Sequence, residues 1–429
     1  MSRQTRRTML AAVGTTVLSA LSGCSGLDPF SDKTDVEYDE SAIAALPGDL
    51  PAVPPAMPVQ PTDAHLTNAR DRIRSLLDDT DISQIPNAVV REELARERES
   101  ARSALSSDDN GENQVEALEG LTHPRSEAMF ANAGFAAFVD SLTTEDVNNR
   151  RERHHQGAES FLADYSYVGP PDDPVGAFAE HARITDWGYT GARLTEPEQF
   201  DEYENTVLHV AELAQSVEWG RAYATDARRL HEHYTSTLDN PRDYEEHFAS
   251  VAAPLVEDIA SYATQPDLDS LTSGIERDIS NTPAAKLLEE LARSRWIGAQ
   301  DAVEHLNDGH DVGAIVPAMR AMIADRAFSE VKDAVSDGAY GVPESVDAIA
   351  AERAVAVDGL RVLLNTSPEL LARRLAIYVR NPIRNADRTI DERNVPVDGA
   401  DLYVEYTVAS RFAAAAPAVV QRVGEMFIA

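Results

Sequence analysis

The stretch Thr195–Tyr234, "TEPEQFDEYENTVLHVAELAQSVEWGRAYATDARRLHEHY", decides how the chain is read. Phe200, Tyr203, Val207, Val210, Ala214 and Val217 recur at steps of three and four, which places one apolar stripe along a helix. Tyr223, Ala227, Leu230 and Tyr234 prolong it. Thr195-x-x-Glu198 has the spacing of a capping box in front of that helix. The same periodicity returns at Val346, Ile349, Val357, Leu360 and Leu364, and less regularly at Ile315, Met319, Met322, Val331 and Val335. Asn240-Pro241, Thr282-Pro283 and Ser367-Pro368 each set a capping side chain before a proline, where the missing N–H costs nothing. Leu402–Val408, "LYVEYTV", alternates like a strand. A helix from Ala400 fits it too, with Tyr406, Ala409, Phe412, Ala416 and Val420 on one side and a kink expected at Pro417, and the helix is preferred. The fold class expected is all-α, a multi-helix bundle or helical array of long amphipathic helices.

Working outward, Pro47, Pro51, Pro54, Pro55, Pro58 and Pro61 crowd one short segment. Residues 24–61 therefore read as an extended tether rising about 3.1 Å per residue. Tyr165–Pro174, "YSYVGPPDDP", is rich in turn formers and divides an N-terminal helical region, 62–164, from a main helical domain, 175–429; the alternative is one continuous domain. The pattern E-L-A-x-S-x-x-x-G-x-x-x-A occurs at Glu212 and again at Glu290. Ser216, Gly220 and Ala224, like Ser294, Gly298 and Ala302, lie four apart and let a neighbouring helix pack close. Duplication and coincidence both account for it.

The first 23 residues are of another kind. Arg3, Arg6 and Arg7 precede an uncharged run from Met9 to Gly23, too short to span a bilayer as a helix, and the run stops at Cys24, the only cysteine. Leu21-Ser22-Gly23-Cys24 resembles a lipobox, and Thr5-Arg6-Arg7-Thr8-Met9-Leu10 resembles a twin-arginine export motif. Together they resemble the leader of a twin-arginine-exported lipoprotein; an uncleaved anchor helix is the alternative. The resemblance implies a signal peptide at 1–23, Arg6 and Arg7 as export signal, lipid on Cys24, and residence on the outer face of the cytoplasmic membrane. A two-chain lipid on one cysteine suffices for stable anchoring.

The formal charge is −35, with 73 acids against 38 bases, and only Lys33, Lys286 and Lys332 among the bases are lysine. Such a coat repels itself in dilute solution and is screened in brine. Acid excess with scarce lysine resembles the proteins of salt-loving archaea. The same charge excludes nucleic acid as a partner, since phosphate is repelled.

Five residues have metal-ligating character: Glu152, His155 and Glu159 on one helical face, and His209 with Glu212 one turn apart. Arg150, Arg151 and Arg153 oppose a cation at the first group. Ser329-x-x-Lys332 lacks the companion motifs of penicillin-recognising enzymes, and Ser106–Ala117 has glycine at the calcium-loop position, Gly111, without the terminal acids. No catalytic residues are assigned. Two aromatic stretches, Tyr165-Ser-Tyr167 and Trp187-Gly-Tyr189-Thr-Gly191, read as binding loops. Asn365-Thr366-Ser367 is a glycosylation sequon or a plain cap. The expected role is a membrane-anchored binding or scaffold module, with an unknown protein or small molecule as ligand and no cofactor. The alternative is a helical-bundle protein or enzyme using a divalent metal.

Overall fold

A computed structural model describes residues 36, 38–78, 80–106, 113–197, 203–391 and 398–429. Arg6, Arg7, Cys24, Gly111, Glu198 and Phe200 lie outside these residues. In chain order the elements are α1 (Glu40–Ala44), α2 (Asp63–Asp78), α3 (Ala88–Ser106), α4 (Gln114–Gly120), α5 (Thr122–Phe138), α6 (Thr144–Ala163), β1 (Val168–Gly169), α7 (Pro174–Leu194), α8 (Thr206–Ser236), β2 (Arg242–Asp243), α9 (Glu245–Ile259), α10 (Leu268–Leu271), α11 (Pro283–Asn307), α12 (Asp311–Ser336), α13 (Val346–Leu364), α14 (Glu369–Asp391) and α15 (Gly399–Ile428). The protein is all-α, as its periodicity indicates. Among the described residues strand is confined to one ladder, in which Val168 faces Asp243 and Gly169 faces Arg242. No helix of the described residues is long and apolar enough to cross a membrane.

Local chemistry sets the helix starts. Asp173 accepts from the Gly176 amide at 2.8 Å ahead of Pro174, and Thr282 caps α11 ahead of Pro283. Two starts differ from expectation. α8 begins under Asn205, whose side chain accepts from the Val207 and Leu208 amides. Thr195 instead closes α7, its hydroxyl donating to the Gly191 and Ala192 carbonyls. Asn240 takes a positive φ of 52° and turns the chain into β2, so Pro241 starts no helix. "LYVEYTV" lies in α15, which runs unbroken through Pro417.

The largest apolar core joins α9 and α11–α15 to Ala177, Phe178 and Ala182 of α7. α3, α5 and α8 share a smaller cluster of Ile85, Val90, Leu94, Phe130, Leu208 and Ala211. Both glycines of the repeated pattern meet a neighbouring backbone. A Cβ on Gly220 would lie 2.8 Å from the Gly191 carbonyl, and one on Gly298 2.9 Å from the Ala321 amide nitrogen.

Residues 38–429 form one compact unit, within which Tyr165–Pro174 is the link that carries β1. The Pro-rich segment corrects the sequence reading. From Tyr38 onward it is a strap laid on the body, not a free spacer. Ile43, Leu46 and Met57 are buried. Arg353 donates to the Gly48 carbonyl at 2.7 Å, Arg373 to that of Pro55 at 3.2 Å, and the Tyr38 hydroxyl to that of Pro343 at 2.7 Å. Proline forbids helix here but leaves carbonyls and apolar side chains able to dock.

Candidate functional site

α7 lies where the two halves of the body meet, packing on α6 and α8 on one side and on α12, α14 and α15 on the other. It is buried over most of its surface, and its glycines explain how. A Cβ on Gly191 would lie 2.7 Å from the Ala224 amide nitrogen, and one on Gly188 2.8 Å from Leu162. These glycines serve close helix crossing, so Trp187 and Tyr189 stand in mid-helix and not on a binding loop. Trp187 is core, 1% exposed, with its ring edge-on to Tyr223. Tyr189 is half-buried and lies on the face of His310, ring centroids 3.6 Å apart.

Tyr165 and Tyr167 do lie in a connection, and both are half-buried in an aromatic box with His181, His231 and Phe248. His181 is fully buried. Its Nε2–H donates to the Val168 carbonyl at 2.9 Å, which leaves Nδ1 to accept from the Tyr165 hydroxyl at 2.7 Å. Burial pushes the His181 pKa down to about 3, so the ring is neutral at pH 7. Burial likewise raises Tyr167 to about 12 and lowers His310 to about 4. The next residue along α7, Glu180, is buried under the strap and accepts from the Val59 amide. Burial raises its pKa to about 8, keeping it protonated.

The uncovered edge of α7 carries Arg183, Asp186, Tyr189 and Arg193, one face of the helix at steps of three and four. Opposite stand Arg374 and Tyr378 of α14, Arg320 of α12, and Asp301 and His305 of α11, all partly exposed. They lie near enough to act on one another. Burial, then Arg183, lowers Arg374 to about 10; Arg320, Asp186 and Asp301 all act on Tyr378; Arg320, His305 and Arg193 act on Asp301. The Arg320 guanidinium lies 5.2 Å from the Tyr378 ring centroid. These polar side chains gather along one edge of α7, with Tyr189, His305 and His310 close together at one end and Arg320 over Tyr378 at the other. Sequence reasoning reached Tyr189 and missed the arginines, which come from separate helices. Arg374 and Tyr378, four apart on one helix face, are the only local signal of them.

The metal-type residues are not brought together. His155 donates from Nδ1 to the Ala192 carbonyl at 3.1 Å, Glu152 accepts from Gln156 at 2.6 Å beside a surface depression, and Glu159 is exposed. Ala158 packs against Ala224 of α8, and Gly157 accepts from Arg228. Arg221, which acts on His154, is nine residues past Glu212 along α8, about 14 Å at the helical rise. His209 lies further back still. Among the described residues no group of three or more His, Cys, Asp or Glu is disposed to hold a metal ion. Asn365 is exposed beside a shallow depression lined by Arg361 and Gln421, and its amide donates to the Arg361 carbonyl at 2.7 Å.

The described body is one all-helical unit, and comparison with known families divides its sequence in two, after β1 and α7 and not at Tyr165–Pro174. Residues 64–240 match the family model described as Domain of unknown function (DUF8262), and residues 245–425 match Domain of unknown function (DUF8264). No curated protein and no solved structure matches the chain. The junction between the matches falls at β2, so α7 belongs to the first segment and α11, α12 and α14 to the second.

Proposed function

We propose that this chain is a binding module held by lipid on Cys24 at the outer face of the cytoplasmic membrane, exported by the Arg6-Arg7 signal and adapted to strong salt. The observation that carries the binding reading is the partly exposed polar edge of α7, where helices of both matched segments meet. Its Tyr189 and His310 rings, with centroids 3.6 Å apart, offer surface for stacking and hydrogen bonding. The strap fits the anchoring reading, since it passes the pull of a lipid tether into both halves through Arg353, Arg373 and Glu180.

Two measurements test this. In strong salt, Cys24→Ser should move the protein from the membrane to the soluble fraction; retention there refutes the anchor. Native mass spectrometry of the detergent-solubilised chain, purified from its own membrane, should show a small-molecule adduct that is lost in Tyr189→Ala. An adduct unaffected by that substitution refutes this site. Stoichiometric zinc, iron or manganese lost in His209→Ala would establish the metal alternative instead.

A further inference from the structure

Counting arginine and lysine against aspartate and glutamate, every helix of the described residues but one carries at least as many acids as bases, in keeping with 73 acids to 38 bases overall. α14 is the exception, with Arg373, Arg374, Arg380, Arg384 and Arg388 against Glu369, Asp387 and Asp391. Asp387 is turned inward to Arg353 and the Tyr406 hydroxyl, and Glu369 and Asp391 stand at the two ends of the helix. Residues 370–386 therefore hold four arginines and no acid. Leu371, Leu375, Val379, Ile383 and Ile390 are buried in the core. Ile377, Arg384 and Arg388 are exposed, with Asn381 half-buried among them. These four lie at steps of four, three and four, so they share one outer face of the helix. Ile377 is 43% exposed, and arginine stems on such a face cover apolar surface while their heads reach outward.

The N-terminal strap enters the body beside this helix. α1 packs on α14, the Tyr38 ring lies against Gly399 at the start of α15, and Gly48 is held by Arg353, which also bonds Asp387 of α14. Tyr38 follows Cys24 by 14 residues, a span of at most about 50 Å. A lipid on Cys24 thus ties the α14 side of the body to the bilayer. In dilute solution the formal charge of −35 repels an anionic bilayer. In strong salt that repulsion is screened beyond about 3 Å, and direct guanidinium–phosphate contact is what remains. We infer that the outer face of α14 is a docking surface for anionic lipid headgroups, with Arg384 and Arg388 on lipid phosphates and Ile377 at the apolar boundary beneath them. The lipid supplies the hold, and this face sets which side of the body meets the membrane.

This rests on the anchoring reading, and thiol labelling tests the two separately. Cys24 is the only cysteine, so the wild-type chain, its thiol blocked by lipid, should take up no thiol-reactive dye. Thr389→Cys, exposed beside Arg388, and Asn149→Cys, exposed on α6 across α7 from α14, each then place one dye on the detergent-solubilised full chain. The labelled chains are reconstituted in strong potassium chloride into vesicles of phosphatidylglycerol or of phosphatidylcholine, each carrying a headgroup-bound quencher. Phosphatidylglycerol should quench the Thr389 dye about threefold more than the Asn149 dye, and phosphatidylcholine, with no net charge, should narrow that difference. Arg384→Gln with Arg388→Gln should abolish the preference for phosphatidylglycerol, while Arg361→Gln, exposed on α13, leaves it unchanged. Equal quenching at the two positions, or a preference undiminished in the double variant, overturns the inference while the anchor stands. Self-quenching of the Thr389 dye that ignores the lipid gives the face to a second copy and overturns it too. A wild-type chain that takes up dye at Cys24 and floats with neither vesicle overturns both readings.

Discussion

The segment from α2 to α8 and the segment from α9 to α15 are both bundles of amphipathic helices, yet different forces hold them. In the second, apolar side chains fill the centre, with Leu287, Leu291, Ile315, Met319, Leu375 and Val420 all fully buried. Its buried carboxylate among the described residues is Asp387, which accepts from Arg353 and from the Tyr406 hydroxyl at 2.7 Å. In the first, charge runs down the middle along α8. Asp226 is buried against His65 of α2 and Arg125 of α5, and Glu218 takes Arg72 and Arg221 in two-pronged pairs at 2.9 Å. Glu127 accepts from Ser100 at 2.7 Å and pairs with His123. Apolar burial tolerates approximate fit, whereas a buried ion pair demands its partner, so the two segments should fail in different ways.

The largest effect should come at Asp226. Asp226→Ala strands Arg125 in the interior and should cost about 3–5 kcal/mol, measured by denaturant unfolding in strong salt. Replacing the whole set, Asp226→Leu with Arg125→Met and His65→Leu, should recover most of that loss. Leu375→Ala, its counterpart in the apolar segment, should cost about 2–5 kcal/mol with no polar partner able to rescue it.

Next comes pH, read where the segments join. His181 has its pKa lowered to about 3, so its contribution is full above the ordinary histidine value and is lost as pH falls from about 6.5 toward 3. Glu180 has its pKa raised to about 8, so its contribution is full below the ordinary carboxylate value and is lost as pH rises from about 4.5 toward 8. Neighbours in sequence thus impose opposite slopes. Glu180→Gln should flatten the alkaline limb of stability by a few kcal/mol, on the order of 1.4 kcal/mol per unit of pKa shift. His181→Gln should flatten the acid limb that remains after Asp226 and Glu218, both lowered by their cationic partners, have been allowed for.

A smaller effect should be shared by both segments. Gly191→Ala and Gly298→Ala each push a methyl group against a neighbouring backbone and should cost about 1–3 kcal/mol alike by thermal unfolding. The smallest belongs to the surface, where Asp358→Ala removes an exposed pair with Arg361 and should change stability by less than about 0.5 kcal/mol in the same assay.

The apolar segment was the more legible one. The stripes at Val346–Leu364 and Ile315–Val335 lie on α13 and α12 because periodicity reports one-sided burial directly. α8 is harder, since Glu212, Glu218 and Asp226 are buried as deeply as its apolar stripe. Solvated and buried acids look alike in a sequence, and only the partner helices distinguish them. Gly188 and Gly191 misled in another way, because glycine marks close backbone approach as often as a turn. Prolines hid the strap, although Leu46, Leu50, Val53 and Met57 fall between them at three- and four-residue steps and were its apolar signal. Arg320 and Arg374 lie 54 residues apart, and no local pattern joins them to α7.

The most direct test of the account is an electron-density map of the protein isolated from its own membrane and crystallised in strong salt. A ligand should lie along the polar edge of α7, against Tyr189 and His310. Only ordered water and chloride there, with a co-purified molecule seated elsewhere on the protein, would contradict it.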